Sequence, residues 1–273
     1  MPPASRLPPR SSLHPPRFRP RLSEPPQETA DEAAGDFTKP TTDFWQEILP
    51  AAHPAGRAAP PFRFGYPARL PDGRILELPI RRLPDGTGAV ASLIANQASF
   101  EVCETLSGFM ADSADAAGAE IIVGMPTLGL AFAPRVAELL GHANYVPLGY
   151  SRKFWYRDEL SEPVHSVTSP GRTKAVFIDP NMLPRLTGRR VVVVDDAVSS
   201  GTTLLSVLAL LQRLDCTLAG IVVAMRQGHR WREVLAARSP ELPVLVQGAF
   251  DSPLLERVAG GWQPRDSEGQ SPM

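Results

Sequence analysis

The chain has 273 residues, 43% of them hydrophobic and 21% charged, with a formal net charge of −1. That is enough apolar material for a buried core, and too little net charge for bulk attraction to nucleic acid or anionic lipid. Uncharged apolar runs such as 204–211 and 221–225 are far shorter than the ~20 residues of a membrane helix, so no membrane partner is expected. Cys103 and Cys216 form no C-x-x-C pair, and the five histidines have no zinc-ligand spacing. A disulfide framework and a structural zinc are thereby excluded, and a reducing, cytoplasmic setting is expected.

Residues 1–61 read as a disordered tail. Nearly half of the 30 prolines fall there, and they forbid a helix and leave polyproline-like coil. Its charge comes in blocks: Arg6, Arg10, Arg17, Arg19 and Arg21 precede Glu24, Glu28, Asp31, Glu32 and Asp36. The Arg-rich opening has the composition of a transit peptide, but its proline density opposes the amphipathic helix that such a peptide forms. A short amphipathic piece at 43–49, with Phe44, Trp45 and Ile48, can dock on the core.

Residues 62–250 read as the folded domain and 251–273 as a C-terminal tail. Two Leu-Pro-Asp-Gly turns, at Leu70 and Leu83, bracket Ile75, Leu76, Leu78 and Ile80, which predicts a hairpin of 62–70 with 74–82. Leu93, Phe100, Cys103, Leu106, Phe109 and Met110 recur at helical spacing. The pattern then alternates: strand 121–123, helix 130–140 ended by Gly141, strand 145–148, a polar excursion over 149–171, and strand 175–178. Strand 191–194, helix 203–214, strand 218–225, helix 231–237 and strand 244–246 follow. Short apolar strands separated by helices predict an α/β fold, doubly wound, with a mainly parallel sheet flanked by helices.

One segment carries the chemistry. Val191, Val192, Val193 and Val194 run into Asp195 and Asp196, then Ala197, Val198, Ser199, Ser200, Gly201, Thr202 and Thr203. Ligands of open α/β sheets sit at the carboxyl ends of the strands. Backbone amides of a small-residue loop and a first helical turn suit a phosphate dianion, and Gly201 permits close approach. Ser199, Ser200, Thr202 and Thr203 add hydroxyl donors. Two carboxylates beside that cradle would repel the phosphate itself. They suit neutral donors, such as paired ribose hydroxyls, or magnesium-bound water. A sugar phosphate is the ligand this implies. No Walker loop and no G-x-G-x-x-G follows a strand.

This segment resembles the motif for phosphoribosyl diphosphate (PRPP) of the type I phosphoribosyltransferases, and the resemblance extends over 62–247. Glu120 to Leu130, containing Thr127, Leu128 and Gly129, looks like the family's pyrophosphate loop. Arg152-Lys153 resembles the basic pair that opens its flexible catalytic loop. The hairpin at 74–83 looks like the hood of the adenine-type enzymes, and 224–231 is similar in placement to their segment after the fifth strand.

The resemblance implies displacement of pyrophosphate from PRPP by a nucleobase, with Mg2+ as cofactor, in a homodimer with no nucleic-acid partner. Asp195 and Asp196 would hold the ribose hydroxyls and 199–203 the 5-phosphate. Thr127, Leu128 and Gly129, with Arg152 and Lys153, would hold pyrophosphate; the metal's own ligands stay unassigned. Leu128 stands where many relatives carry a cation. No carboxylate occupies 198–200 or 166–169, where relatives keep a base-side acid, although Glu159 and Glu162 lie nearby. Adenine-type salvage, an orotate-type transferase and a non-catalytic PRPP-binding regulator all stay open.

Overall fold

The computed structural model describes residues 37–38, 43–84, 86, 88–164 and 174–265. Most of the tail expected over 1–61, and the stretch 166–169, lie outside these residues. The chain opens with the hairpin of β1 (Gly65–Arg69) and β2 (Ile75–Arg82), antiparallel with Arg69 opposite Ile75. Its turn is closed by Gly73 N–H donating to Leu70 C=O at 2.9 Å, with Gly73 at φ 83°. Then follow β3 (Gly88–Ala91), α1 (Phe100–Ala116), β4 (Ile121–Gly124), α2 (Ala133–Leu139) and β5 (Val146–Pro147). The middle of the chain supplies β6 (Ser161–Val164), β7 (Lys174–Phe177), the short α3 (Leu183–Leu186) and the long β8 (Arg189–Val198). Last come α4 (Thr202–Leu211), β9 (Cys216–Gln227), α5 (Arg230–Arg238), β10 (Val246–Ser252), β11 (Leu254–Val258) and β12 (Gly261–Pro264).

The central sheet has the order β10-β9-β8-β4-β5, with every pair parallel. Both of its faces are buried, and the period-2 alternation of the strands divides their side chains between two cores. Ile122, Val192, Val194, Val222 and Ala224 face α1 and α2, packing with Val102, Leu106, Met110 and Val136. Ile121, Val123, Val191, Val193, Ile221 and Val223 face the opposite way, against Leu204, Val207, Leu208, Leu211 and Trp231. A strand buried on both sides has to be apolar throughout, which explains the unbroken valine run. Helix α1 starts at Phe100, later than the periodicity suggests, because Ser99 caps it: its hydroxyl accepts from Val102 N–H at 3.2 Å.

Four expectations are corrected. The hood is a five-stranded sheet of order β1-β2-β3-β11-β12, larger than a hairpin. The stretch 251–273 was expected as a C-terminal tail, yet 251–264 supplies the end of β10 and two of the hood's strands. Leu255 and Trp262 are fully buried there, so the segment has apolar surface that a tail could not hide. The 61/62 boundary is likewise too late. Trp45 is 2% exposed, its indole N–H donating to Ser92 C=O at 2.9 Å, and Phe37 packs in one cluster with Phe62, Ile80 and Trp262. Finally, the strand expected at 175–178 forms as β7 but pairs antiparallel with β6, in a two-stranded ribbon outside the parallel sheet. Among the described residues, no helix is long and apolar enough to cross a membrane.

Replacing Trp262 by Ala should destabilise the protein by about 3–5 kcal/mol, the usual range for a large buried aromatic. Urea unfolding measures it; a loss under about 1 kcal/mol, the size of a surface substitution, would mean that 251–264 is dispensable after all.

Candidate functional site

At the carboxyl ends of β4 and β8 lies a cavity of about 330 Å³. Its lining includes Thr127 and Leu128 after β4, Asp195 and Asp196 within β8, and Ser199, Ser200, Gly201 and Thr203 at the start of α4. Most of the residues singled out from the sequence therefore share one wall system. Thr202 and Gly129 stand just behind it. The Thr202 hydroxyl lies 2.9 Å from that of Ser200, which ties the loop's hydroxyls together. Arg152 and Lys153 do not line the cavity; they sit on the exposed segment after β5, where Arg152 pairs with Asp158 at 2.9 Å.

The loop geometry follows from two glycines. Gly201 is the N-cap of α4 at φ 76° and has no side chain to cap the helix; Thr202 N–H donates to Ser200 Oγ at 3.4 Å, and the next amides, of Thr203 and Leu204, are left for an external acceptor. Gly129 lies against the acid pair. A β-carbon there would come within 2.8 Å of the Asp195 Cα and Oδ1 and the Val194 carbonyl oxygen. Only glycine lets this loop touch β8, which brings its backbone N–H near enough to favour the charged Asp195 carboxylate. Asp195 Oδ1 also accepts from Asp196 N–H at 2.9 Å.

Burial sets the electrostatics. It holds the Asp195 carboxyl well above the usual aspartate range, the neighbouring Asp196 charge adds to this, and the two backbone donors oppose it. Asp196 is raised as well, again by burial. A half-buried carboxylate pair of this kind is costly when ionised and is relieved by hydroxyl donors or a cation.

Tyr150 also lines the cavity and was not among the residues singled out from the sequence. Burial, then the charges of Asp195 and Asp196, push its phenol up. Its ring carries Lys174 from β7, with Nζ 5.6 Å from the ring centroid. The available signal was its place directly after a strand and next to a glycine; the pairing that sets the ring, Gly149 against Phe177, is not local. Glu159 and Glu162 are both engaged away from the cavity. Glu159 pairs with Arg157 at 3.3 Å, and Glu162 with Arg213 at 2.5 Å. Among the described residues, no cluster of three or more His, Cys, Asp or Glu could by itself hold a metal ion.

Residues 89–247 match the family model described as "Phosphoribosyl transferase domain". The chain belongs to this family and is a phosphoribosyltransferase, performing PRPP-dependent transfer. Similar solved structures include adenine phosphoribosyltransferases from three organisms. That of Thermoanaerobacter pseudethanolicus is 19% identical, with 55% of this chain and 81% of that chain covered and a TM-score of 0.45. That of Rhodothermus marinus is 18% identical, with 63% and 93% covered and a TM-score of 0.46. The Saccharomyces cerevisiae enzyme, complexed with an imino-altritol bisphosphate and adenine, is 20% identical, with 55% and 81% covered and a TM-score of 0.43. No curated protein matches the chain.

The raised Asp195 carboxyl fixes a pH dependence. Between the ordinary aspartate value of 3.8 and the higher folded value, the folded state holds more protons than the unfolded one. Its contribution to stability is thus full below 3.8 and is lost as pH rises through the folded value. Asp195→Asn should melt above wild type at pH 7, and the advantage should vanish towards acid. Thermal melts across pH check this; an Asn variant melting lower at neutral pH would refute it.

Proposed function

We propose that this enzyme transfers the phosphoribosyl group of PRPP to a purine base, as in adenine-type salvage, with release of pyrophosphate. The observation that carries the reading is the acid pair and the hydroxyl-lined helix start facing one cavity. The ribose 2- and 3-hydroxyls would donate to Asp195 and Asp196, which relieves the buried charge. The 5-phosphate would take the Thr203 and Leu204 amides of α4 with the Ser199, Ser200, Gly201, Thr202 and Thr203 loop. This fixes the sugar from two sides and leaves its C1 towards Thr127, Leu128 and Tyr150.

In the reaction the C1–O bond to pyrophosphate breaks and a C1–N bond to the base forms. The base's N–H proton leaves to water or to a nearby acceptor. The transition state is oxocarbenium-like, so the chain contributes position and charge more than covalent chemistry. Negative charge collects on the departing pyrophosphate, where the Thr127-Leu128-Gly129 main chain, with Arg152 and Lys153 brought in from their exposed segment, would receive it. A carboxylate pair with no third ligand among the described residues fits the way Mg2+ binds, through one or two carboxylates plus substrate oxygens and water. When bound, Mg2+ supplies neutralisation between pyrophosphate and the sugar; Asp195 and Asp196 would hold its waters. The purine assignment comes with the resemblance of the hood to that of the adenine-type enzymes. Glu159 and Glu162 are engaged in ion pairs away from the cavity. Cytoplasmic residence is part of the same reading and is supported by the two free cysteines. So is a homodimer, which comes with the resemblance.

Pyrophosphate release with PRPP and Mg2+ over adenine, guanine, hypoxanthine, xanthine and orotate is expected to be fastest with adenine. Without a base-side carboxylate, the rate should be lower by the ~10²–10⁴ that general acid–base help supplies. Glu159→Gln and Glu162→Gln should each leave it unchanged. Turnover of orotate alone, or of none of the five, would overturn the purine assignment. Asp195→Asn combined with Asp196→Asn should abolish PRPP binding in calorimetry while the protein stays folded.

A further inference from the structure

The cavity poses an electrostatic problem for any substrate carrying a diphosphate. Among the described residues, no lysine or arginine lines it, while Asp195 and Asp196 do. The helix start serves one phosphate; the other end of the substrate meets Thr127 and Leu128, neither of them charged. A cation held against one wall of the cavity, Tyr150, comes from the β6–β7 ribbon. Lys174 is the first residue of β7, and its ammonium lies over the Tyr150 ring, which is itself a wall of the cavity and feels both carboxylates.

We propose that Lys174 is a further cation, beside Arg152 and Lys153, that binds the diphosphate end of the substrate, with Tyr150 as its seat. This deepens the functional reading above and rests on it. A cation over a ring at an exposed site is weakly held compared with a charge-assisted hydrogen bond to a phosphate oxygen. The four-carbon stem lets the ammonium travel from the ring to the cavity without a change of backbone. The ribbon is anchored beside the cavity, because Gly149, next to Tyr150, exchanges both of its backbone hydrogen bonds with Phe177, at 3.1 and 2.9 Å. Seat and cation are thus held in register by the same bridge. Arg152 and Lys153 would reach the same end from the segment after β5, Arg152 leaving its exposed pair with Asp158.

The test is calorimetry on the full chain with PRPP, pyrophosphate and ribose 5-phosphate, each with Mg2+. Lys174→Met should weaken PRPP and pyrophosphate about tenfold, the size of one lost charged hydrogen bond, and leave ribose 5-phosphate unchanged. Lys174→Arg should restore most of the loss. Because Lys174 is exposed, the melting temperature should not move. Unchanged PRPP and pyrophosphate affinity in Lys174→Met, with wild type binding both, would overturn this inference and leave the functional reading standing. Equal weakening of ribose 5-phosphate would overturn it too, since the lysine would then act on the whole site. A wild-type protein that binds neither PRPP nor ribose 5-phosphate would overturn the functional reading itself.

Discussion

Two adjacent, half-buried carboxylates at the end of a fully apolar strand are the constraint around which the rest of this molecule is arranged. Asp195 and Asp196 follow four valines with no exposed surface, so they enter a region where charge is expensive. What they lack in water they receive partly from backbone N–H groups, and only because Gly129 has no side chain to keep its loop away. The site therefore depends on a contact between two strand ends, β4 and β8, that are neighbours only in the parallel order. Their register, Gly124 beside Val194, is what places Gly129 over the acid.

That arrangement sets stability against function. A protein optimised for folding alone would put amides or apolar groups at 195 and 196. This one keeps the acids, a choice that on this reading costs stability at neutral pH, as at other sites that bind by relieving a half-buried charge. The small loop residues serve the same end. Gly201 in the left-handed region brings no capping side chain, so beyond the Thr202 amide, which Ser200 accepts, the helix start keeps amides for a ligand.

How much of this was legible in the sequence depended on distance along the chain. The strand, acid pair, loop and helix of 191–204 are consecutive, and each step has a local cause, so both the fold class and the cavity's centre could be read there. The alternation of strands and helices was equally local. The hood was harder, because its pairings join β3 to β11 across most of the chain. The signal was present: Leu254, Leu255, Val258 and Trp262 flank Gly260 and Gly261, an apolar hairpin with a glycine turn. Surrounding Arg, Glu and Pro made it resemble a tail. Tyr150 and Lys174 were illegible for another reason. Neither residue type implies a site, and their meeting is created by β7 leaving the parallel sheet for a ribbon of its own.

The hood's strand order also has a temporal side. β3, formed by residues 88–91, finds its partner β11 only at 254–258, and the bridge from Phe62 reaches Trp262. Every strand of the parallel sheet is made between those two events. On a ribosome the sheet and its acid pair can assemble while β1, β2 and β3 still wait with one edge open. An unpaired edge is a template for other chains. The interval between synthesis of β3 and of β11 is therefore when this protein is most exposed to misassociation, and slowing translation after β10 would lengthen it.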